Sequence, residues 1–192
     1  MSEVDGRGAR LVLLASGSGT TLQAILDDPE LGAHIVAAGT DVPGCQAMQR
    51  AQDAGVPTFA VALRDHPDRA AWNDELAASI AKHEPDLVVL AGFMRLLAPS
   101  VVTRFRIVNT HPALLPAFPG AHAIRDALAA GATSTGVTVH WVDEGVDTGP
   151  VIAQVTVPVQ PDDDENTLRT RIQAAEKPLY LETLRQLTKD FQ

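Results

Sequence analysis

The sequence predicts an α/β fold: a doubly wound, mostly parallel sheet with helices on both faces, in one domain with a mixed or antiparallel edge. Three observations predict it. Short apolar runs alternate with helix-like segments from residue 10 to about residue 130. The first and fourth runs, Leu11-Val12-Leu13-Leu14 and Leu87-Val88-Val89-Leu90, carry no polar alternation, as strands buried on both faces require. From Val137 onward, two runs alternate apolar with polar residues, as strands with one solvated face do.

The elements follow in order. Residues 1–9 lack any apolar period and read as a flexible lead, leaving 10–192 as the folded domain. Residues 10–15 form the first strand, residues 16–21 (Ser-Gly-Ser-Gly-Thr-Thr) a turn, and residues 22–26 start a helix that stops before Pro29. Residues 34–39 are a second strand. Residues 44–54 are helix-like, with Gly55 placed to close them, and residues 58–62 are a third strand. Residues 68–83 form a longer amphipathic helix ended by Pro85. Residues 86–91 and 106–110 are strands, with a brief helix after Pro99 between them. Residues 121–130 are helical and stop at Gly131. Residues 137–142 and 151–159 are half-exposed strands, and 165–189 are helical with a bend at Pro178. Ligands in such sheets bind beyond the carboxyl ends of the strands, where the Gly-rich turn, residues 92–97 and residues 109–111 all lie.

Composition narrows the function classes. A chain of 192 residues, 45% hydrophobic and 20% charged, has enough apolar mass for one sizeable core. Its net charge of −9 argues against nucleic acid, whose phosphates need Lys/Arg surfaces. The single cysteine, Cys45, excludes an internal disulfide and a Cys-rich metal site. No apolar run approaches a membrane span and no signal core stands at the N-terminus, so a cytoplasmic protein of small molecules is expected.

Two motifs carry chemistry. In Gly17-Ser18-Gly19-Thr20-Thr21, glycines between strand and helix leave Gly19, Thr20 and Thr21 with amides and hydroxyls at a helix N-terminus, where an anion is favoured. The turn lacks the P-loop Lys and the full dinucleotide spacing, so it reads either as a phosphate site or as a tight βα turn with a Thr N-cap. The second motif is Asn109-Thr110-His111-Pro112, joined later by Asp147 in Asp143-Glu144-Gly145-Val146-Asp147. These three residues are expected in loops where apolar runs end. Asn can hydrogen-bond an oxyanion, His can move a proton and Asp can hold an imidazolium, which suits acyl transfer without a nucleophilic Ser or Cys. Pro112, Pro116 and Pro119 stiffen the mount. His111, His122, His140 and Asp147 are potential metal ligands, but no zincin-type spacing joins them, so no metal is expected.

Residues 15–25 (Ala-Ser-Gly-Ser-Gly-Thr-Thr-Leu-Gln-Ala-Ile), 89–97 (Val-Leu-Ala-Gly-Phe-Met-Arg-Leu-Leu), 109–116 (Asn-Thr-His-Pro-Ala-Leu-Leu-Pro) and 147–152 (Asp-Thr-Gly-Pro-Val-Ile) occur in the order found in phosphoribosylglycinamide formyltransferases. From about residue 10 to about residue 187 the chain resembles that family, which passes the formyl group of 10-formyltetrahydrofolate to glycinamide ribonucleotide in purine synthesis. The resemblance implies a catalytic set of Asn109, His111 and Asp147. It implies that Gly19, Thr20, Thr21, Gln173 and Glu176 hold the ribonucleotide. Arg69, Met94, Arg95, Leu96, Leu97, Asn109, Asp143, Glu144, Gly145, Val146 and Asp147 would line the folate pocket. Formyl-folate would be co-substrate, no metal is implied, and a homodimer rests on family analogy alone. The family usually carries Asn where Thr21 stands, and it often continues past the last helix into a short hairpin where this chain stops at Gln192.

The implied mechanism is direct attack of the amine on the formyl carbonyl. Asn109 and a protonated His111 would stabilise the tetrahedral intermediate, with Asp147 raising the His pKa by favouring its charged form. Formyltetrahydrofolate hydrolases resemble the same motifs but add an N-terminal regulatory domain, and only about nine residues precede the first strand here. Methionyl-tRNA formyltransferases add a C-terminal RNA-binding domain and a basic surface. A non-catalytic ligand-binding module of this fold is the third alternative.

Overall fold

The computed structural model describes residues 8–191. Most of the lead expected at 1–9 lies outside the described residues. It does not reach Ala9, which is buried and whose carbonyl oxygen faces His34 Nδ1 at 3.1 Å. Seven strands form one sheet in the order β3-β2-β1-β4-β5-β6-β7. They are β1 (Leu11–Leu14), β2 (Ile35–Thr40), β3 (Thr58–Ala60), β4 (Leu87–Leu90), β5 (Ile107–His111), β6 (Ser134–Trp141) and β7 (Val151–Pro158). The helices are α1 (Thr20–Leu26), α2 (Gln46–Asp53), α3 (Arg69–Ala81), α4 (Pro99–Val102), α5 (Ala123–Ala129) and α6 (Glu165–Lys189). Short 3-10 turns at Gly32–His34 and Leu63–Asp65 complete the elements and carry no periodicity by which the sequence announces them.

The chain divides into two compact units, residues 1–108 with 184–192, and residues 109–183. In the first, β1 pairs in parallel with β2 on one side and β4 on the other, with Leu11 opposite both Ile35 and Leu87. Leu11 to Leu14 are all fully buried, which explains the unbroken apolar run. The strand order reverses at β1, and right-handed crossovers therefore send the β1–β2 connection and the β3–β4 connection to opposite faces. The turn after β1 and the loop after β4 flank this switch point. In α3, Asp68 caps the helix by accepting from Ala71 N, and Trp72, Leu76 and Ile80 repeat every fourth residue on its buried face.

In the second unit, β6 and β7 run antiparallel, with Thr138 opposite Gln154. Val137 and Val157 from this pair pack with Ile124, Leu168 and Ile172 to form its core. β7 shows the exposed alternation expected of an edge strand, but β6 does not. Its polar residues Thr135, Thr138 and His140 are as buried as its valines, so the expected solvated face does not exist on this strand. Among the described residues no helix is long and apolar enough to cross a membrane.

Candidate active site

Strand β5 runs on through His111, one residue beyond the strand expected at 106–110, so Asn109 and His111 are both strand residues and neither sits in a loop. The period of two then sets both side chains on one face. From β6, the amide of Asn109 meets His140, with Nδ2 3.4 Å from the imidazole Nε2. Asp147 completes the group. Its Oδ2 lies 3.2 Å from His111 Nδ1 and accepts from Gly120 N at 2.7 Å, while Oδ1 lies 3.6 Å from His140 Nε2. His111 and His140 are both buried, at 4% and 2% exposure.

The loops that present these groups are tied to β6 and to each other. Thr138 Oγ1 donates to Ala113 O at 2.7 Å and accepts from Leu115 N and from Gln154 Nε2, so all three hydrogen-bonding directions of that hydroxyl are used. The loop then turns through Phe118, whose φ of 52 aims its carbonyl at His111 Nε2, 2.7 Å away. Asp147 likewise adopts a positive φ of 55. Asp143 caps the segment, accepting from Thr148 Oγ1 at 2.7 Å and Gly145 N at 3.1 Å. Gly149 has no alternative, since a Cβ there would run into the Trp141 carbonyl. Beside Asp147 lies a cleft of about 280 Å³ lined by Leu115, Pro116, Pro119, Val146 and Val151.

The two imidazoles have opposite hydrogen-bond roles. Around His111 both ring nitrogens face acceptors, the Asp147 carboxylate and the Phe118 carbonyl, and only a ring with a proton on each nitrogen satisfies both. His140 differs. Burial is the largest influence on it and holds its pKa below the usual 6.5, with His111 acting the same way, against the Trp141 carbonyl and Asp147. Its Nδ1–H donates to Trp141 O at 2.9 Å, which leaves Nε2 as an acceptor for the Asn109 amide. His140 thereby orients Asn109, and the sequence reading named it only as a metal ligand. The signal that would have found it is the Thr138-x-His140 pair on the polar side of a strand leading into the Asp147 loop.

The depressed pKa of His140 makes folding stability depend on pH. Below pH 6.5 the unfolded chain takes up a proton that the folded chain resists, so folding stability falls as pH drops through that window. His83, also held low by its burial, adds in the same direction. His140→Gln is therefore expected to flatten, without abolishing, the loss of thermal midpoint between about pH 7 and about pH 5.

In the first unit, α1 begins at Thr20 with Gly19 in the N-cap position at φ 71. The capping position is therefore held by Gly19 and not by a threonine, in a tight βα turn. A Cβ at Gly19 would lie 2.6 Å from Ala47 Cα, so only glycine fits. Helix α2 draws the turn's carbonyls to itself: Ala47 N donates to Gly17 O at 3.0 Å and Arg50 Nε to Ser18 O at 2.8 Å. Arg69 Nη2 donates to Leu96 O at 2.8 Å, and Asn73 accepts from Ala98 N, so α3 holds the far end of the loop after β4. On that loop Met94 and Leu96 remain 76% and 62% exposed. Arg95 does not point its Nε outward but pairs with Asp41. On α6, Gln173 is exposed and Glu176 half-buried, and His122 is exposed at the start of α5.

The sequence profile of the formyl transferase family matches residues 9–184. The chain belongs to the formyl transferase family. A phosphoribosylglycinamide formyltransferase of Mycobacterium tuberculosis (strain ATCC 25618 / H37Rv) is 54% identical over 177 residues, covering 90% of this chain and 82% of the relative. Among solved structures, glycinamide ribonucleotide transformylase 1 from Symbiobacterium toebii superposes with a TM-score of 0.91 at 41% identity, over 97% of this chain and 90% of that one. The enzyme of the same description from Geobacillus kaustophilus gives a TM-score of 0.89 at 43% identity, over 95% and 100%. Within the formyl transferase family, then, this chain groups with the phosphoribosylglycinamide formyltransferases.

Proposed function

We propose that the chain transfers the formyl group of 10-formyltetrahydrofolate to the amine of 5'-phosphoribosylglycinamide, in purine biosynthesis, with Asn109, His111 and Asp147 as its catalytic residues. The observation that carries the reading is the His111 ring held between the Asp147 carboxylate and the Phe118 carbonyl, with the Asn109 amide on the same strand face. The amine nitrogen attacks the formyl carbon, and the carbonyl oxygen becomes an oxyanion. That oxyanion is a stronger acceptor than the Phe118 carbonyl and takes its place at His111 Nε2, with Asn109 Nδ2 as second donor. The bond from carbon to the folate nitrogen then breaks, and a proton from the attacking amine ends on that nitrogen. Asp147, 3.2 Å from His111 Nδ1, holds the ring in orientation throughout.

Gly19, Thr20 and Thr21 take the substrate phosphate, supported by the left-handed Gly19 at the start of α1, which lets the backbone approach an anion closely. Gln173 and Glu176 complete ribonucleotide binding. Arg69, Met94 to Leu97 and residues 143–147 bind folate, a reading supported by the two exposed apolar side chains on a loop that is otherwise tied down. Gly19→Val is expected to raise the Michaelis constant for glycinamide ribonucleotide by at least about tenfold, because a β-branched residue cannot hold this φ and would displace Ala47. An unchanged constant would leave the turn merely structural. The reading makes the chain a cytoplasmic enzyme of small molecules, with formyl-folate as co-substrate, no metal, and a homodimer as the assembly that family analogy offers.

The test is tetrahydrofolate release from 10-formyltetrahydrofolate with and without glycinamide ribonucleotide. Release that requires the amine supports the transferase. Release to water alone assigns the chain to the hydrolases.

A further inference from the structure

At the switch point of the first unit, a ring of hydrogen bonds joins three segments that are far apart in sequence. Ser16 N donates to Gly92 O at 3.0 Å, and Met94 N donates back to Ser16 Oγ at 2.9 Å. The Ser16 hydroxyl has a single proton, and it goes to Asp41 Oδ1. The other oxygen of Asp41 accepts from Arg95 Nε at 2.6 Å, which closes the ring. The Asp41 side chain is 1% exposed, so an ionised carboxylate is held out of water directly after β2. A buried carboxylate persists only where charge-assisted bonds replace its hydration, and here Arg95 and Ser16 supply them.

We propose that Asp41 is a positioning residue for the formyl donor: through Ser16 and Arg95 it fixes the backbone of residues 94–97 in the conformation that receives folate. This rests on the functional reading above. Asp41 touches no substrate. It dictates which way the Ser16 hydroxyl points, hence that Oγ presents a lone pair to Met94 N–H, and it draws the Arg95 side chain inward so that Met94 and Leu96 face outward. The glycine turn next to Ser16 has its own supports on α2, in Ala47 N and Arg50. Loss of Asp41 therefore loosens the donor loop while leaving the anion turn in place.

The experiment compares the wild-type protein with Asp41→Ala and Asp41→Asn. It measures kcat, the Michaelis constants for both substrates, and amide hydrogen exchange over residues 93–97. Asp41→Ala is expected to raise the constant for 10-formyltetrahydrofolate roughly tenfold, the factor one lost charge-assisted hydrogen bond gives, with kcat and the constant for the amine each within about threefold. Exchange at Met94 speeds up. Asp41→Asn, which keeps an oxygen for Arg95 but turns an NH2 donor to where the Ser16 hydroxyl needs an acceptor, recovers only part of the donor affinity. Equal rises in both constants, or a fall in thermal midpoint with both constants unmoved, would overturn the proposal. So would unaltered exchange at Met94, whether or not the protein transfers formyl groups. A wild-type protein that releases no tetrahydrofolate refutes the functional reading instead.

Discussion

His111→Ala lowers turnover roughly 100- to 1,000-fold, the loss seen when one preorganised oxyanion donor is removed. Steady-state rates at saturating substrates measure it. On the proposed mechanism His111 acts as a donor to the oxyanion, with Asp147 at Nδ1 and the Phe118 carbonyl marking the Nε2 position that the oxyanion would take. Alanine deletes that donor and strands the Asp147 carboxylate with Gly120 N as its remaining close partner in the cluster. Asn109→Ala and Asp147→Ala lose comparable amounts. The double variant His111→Ala/Asp147→Ala falls little below either single one, because the two side chains act as a unit. Turnover near that of the wild type in His111→Ala would refute the assignment of this residue.

Trp72→Ala is the largest expected loss of stability, about 3–5 kcal/mol. Trp72 is fully buried on α3, and its indole N–H donates to Val61 O at 2.7 Å. Its ring lies nearly parallel to Phe93, with 6.4 Å between centroids and 7° between planes, and the Arg69 guanidinium sits 5.8 Å from its centre. Truncation opens a cavity and leaves the Val61 carbonyl unpaired, and these costs add. Trp72→Phe separates them: it keeps most of the packing and loses the donor, so about 1–3 kcal/mol is expected. Urea unfolding with an unchanged m-value is the measurement. A loss below about 1 kcal/mol for alanine would mean that α3 collapses onto the gap. Because Phe93 and Arg69 flank residues 94–97, the proposed folate site predicts that the alanine variant also raises the Michaelis constant for the formyl donor.

Much of this architecture is written in local patterns. The unbroken apolar runs at Leu11–Leu14 and Leu87–Leu90 predict buried parallel strands because both faces of those strands are covered. Gly55 and Gly131, both left-handed, mark helix ends as read from the sequence. The sequence offers Asn109, His111 and Asp147 as one candidate group, and the structure gathers them around His140. Burial of β6 was not legible. Thr138 and His140 look like a solvated face, yet they are buried because loop carbonyls and amides satisfy them, and that satisfaction comes from residues far away in the chain. The role of Arg95 was hidden for the same reason. Its partner Asp41 lies 54 positions away, and no periodicity relates the two.

The most direct test of the central claim is the structure of the protein with glycinamide ribonucleotide and an inert folate analogue bound. The account predicts the analogue's carbonyl-equivalent oxygen at about 3 Å from both Asn109 Nδ2 and His111 Nε2, with the Phe118 carbonyl displaced from the ring. An analogue bound with that oxygen away from both side chains, and His111 still bonded to Phe118, would contradict it.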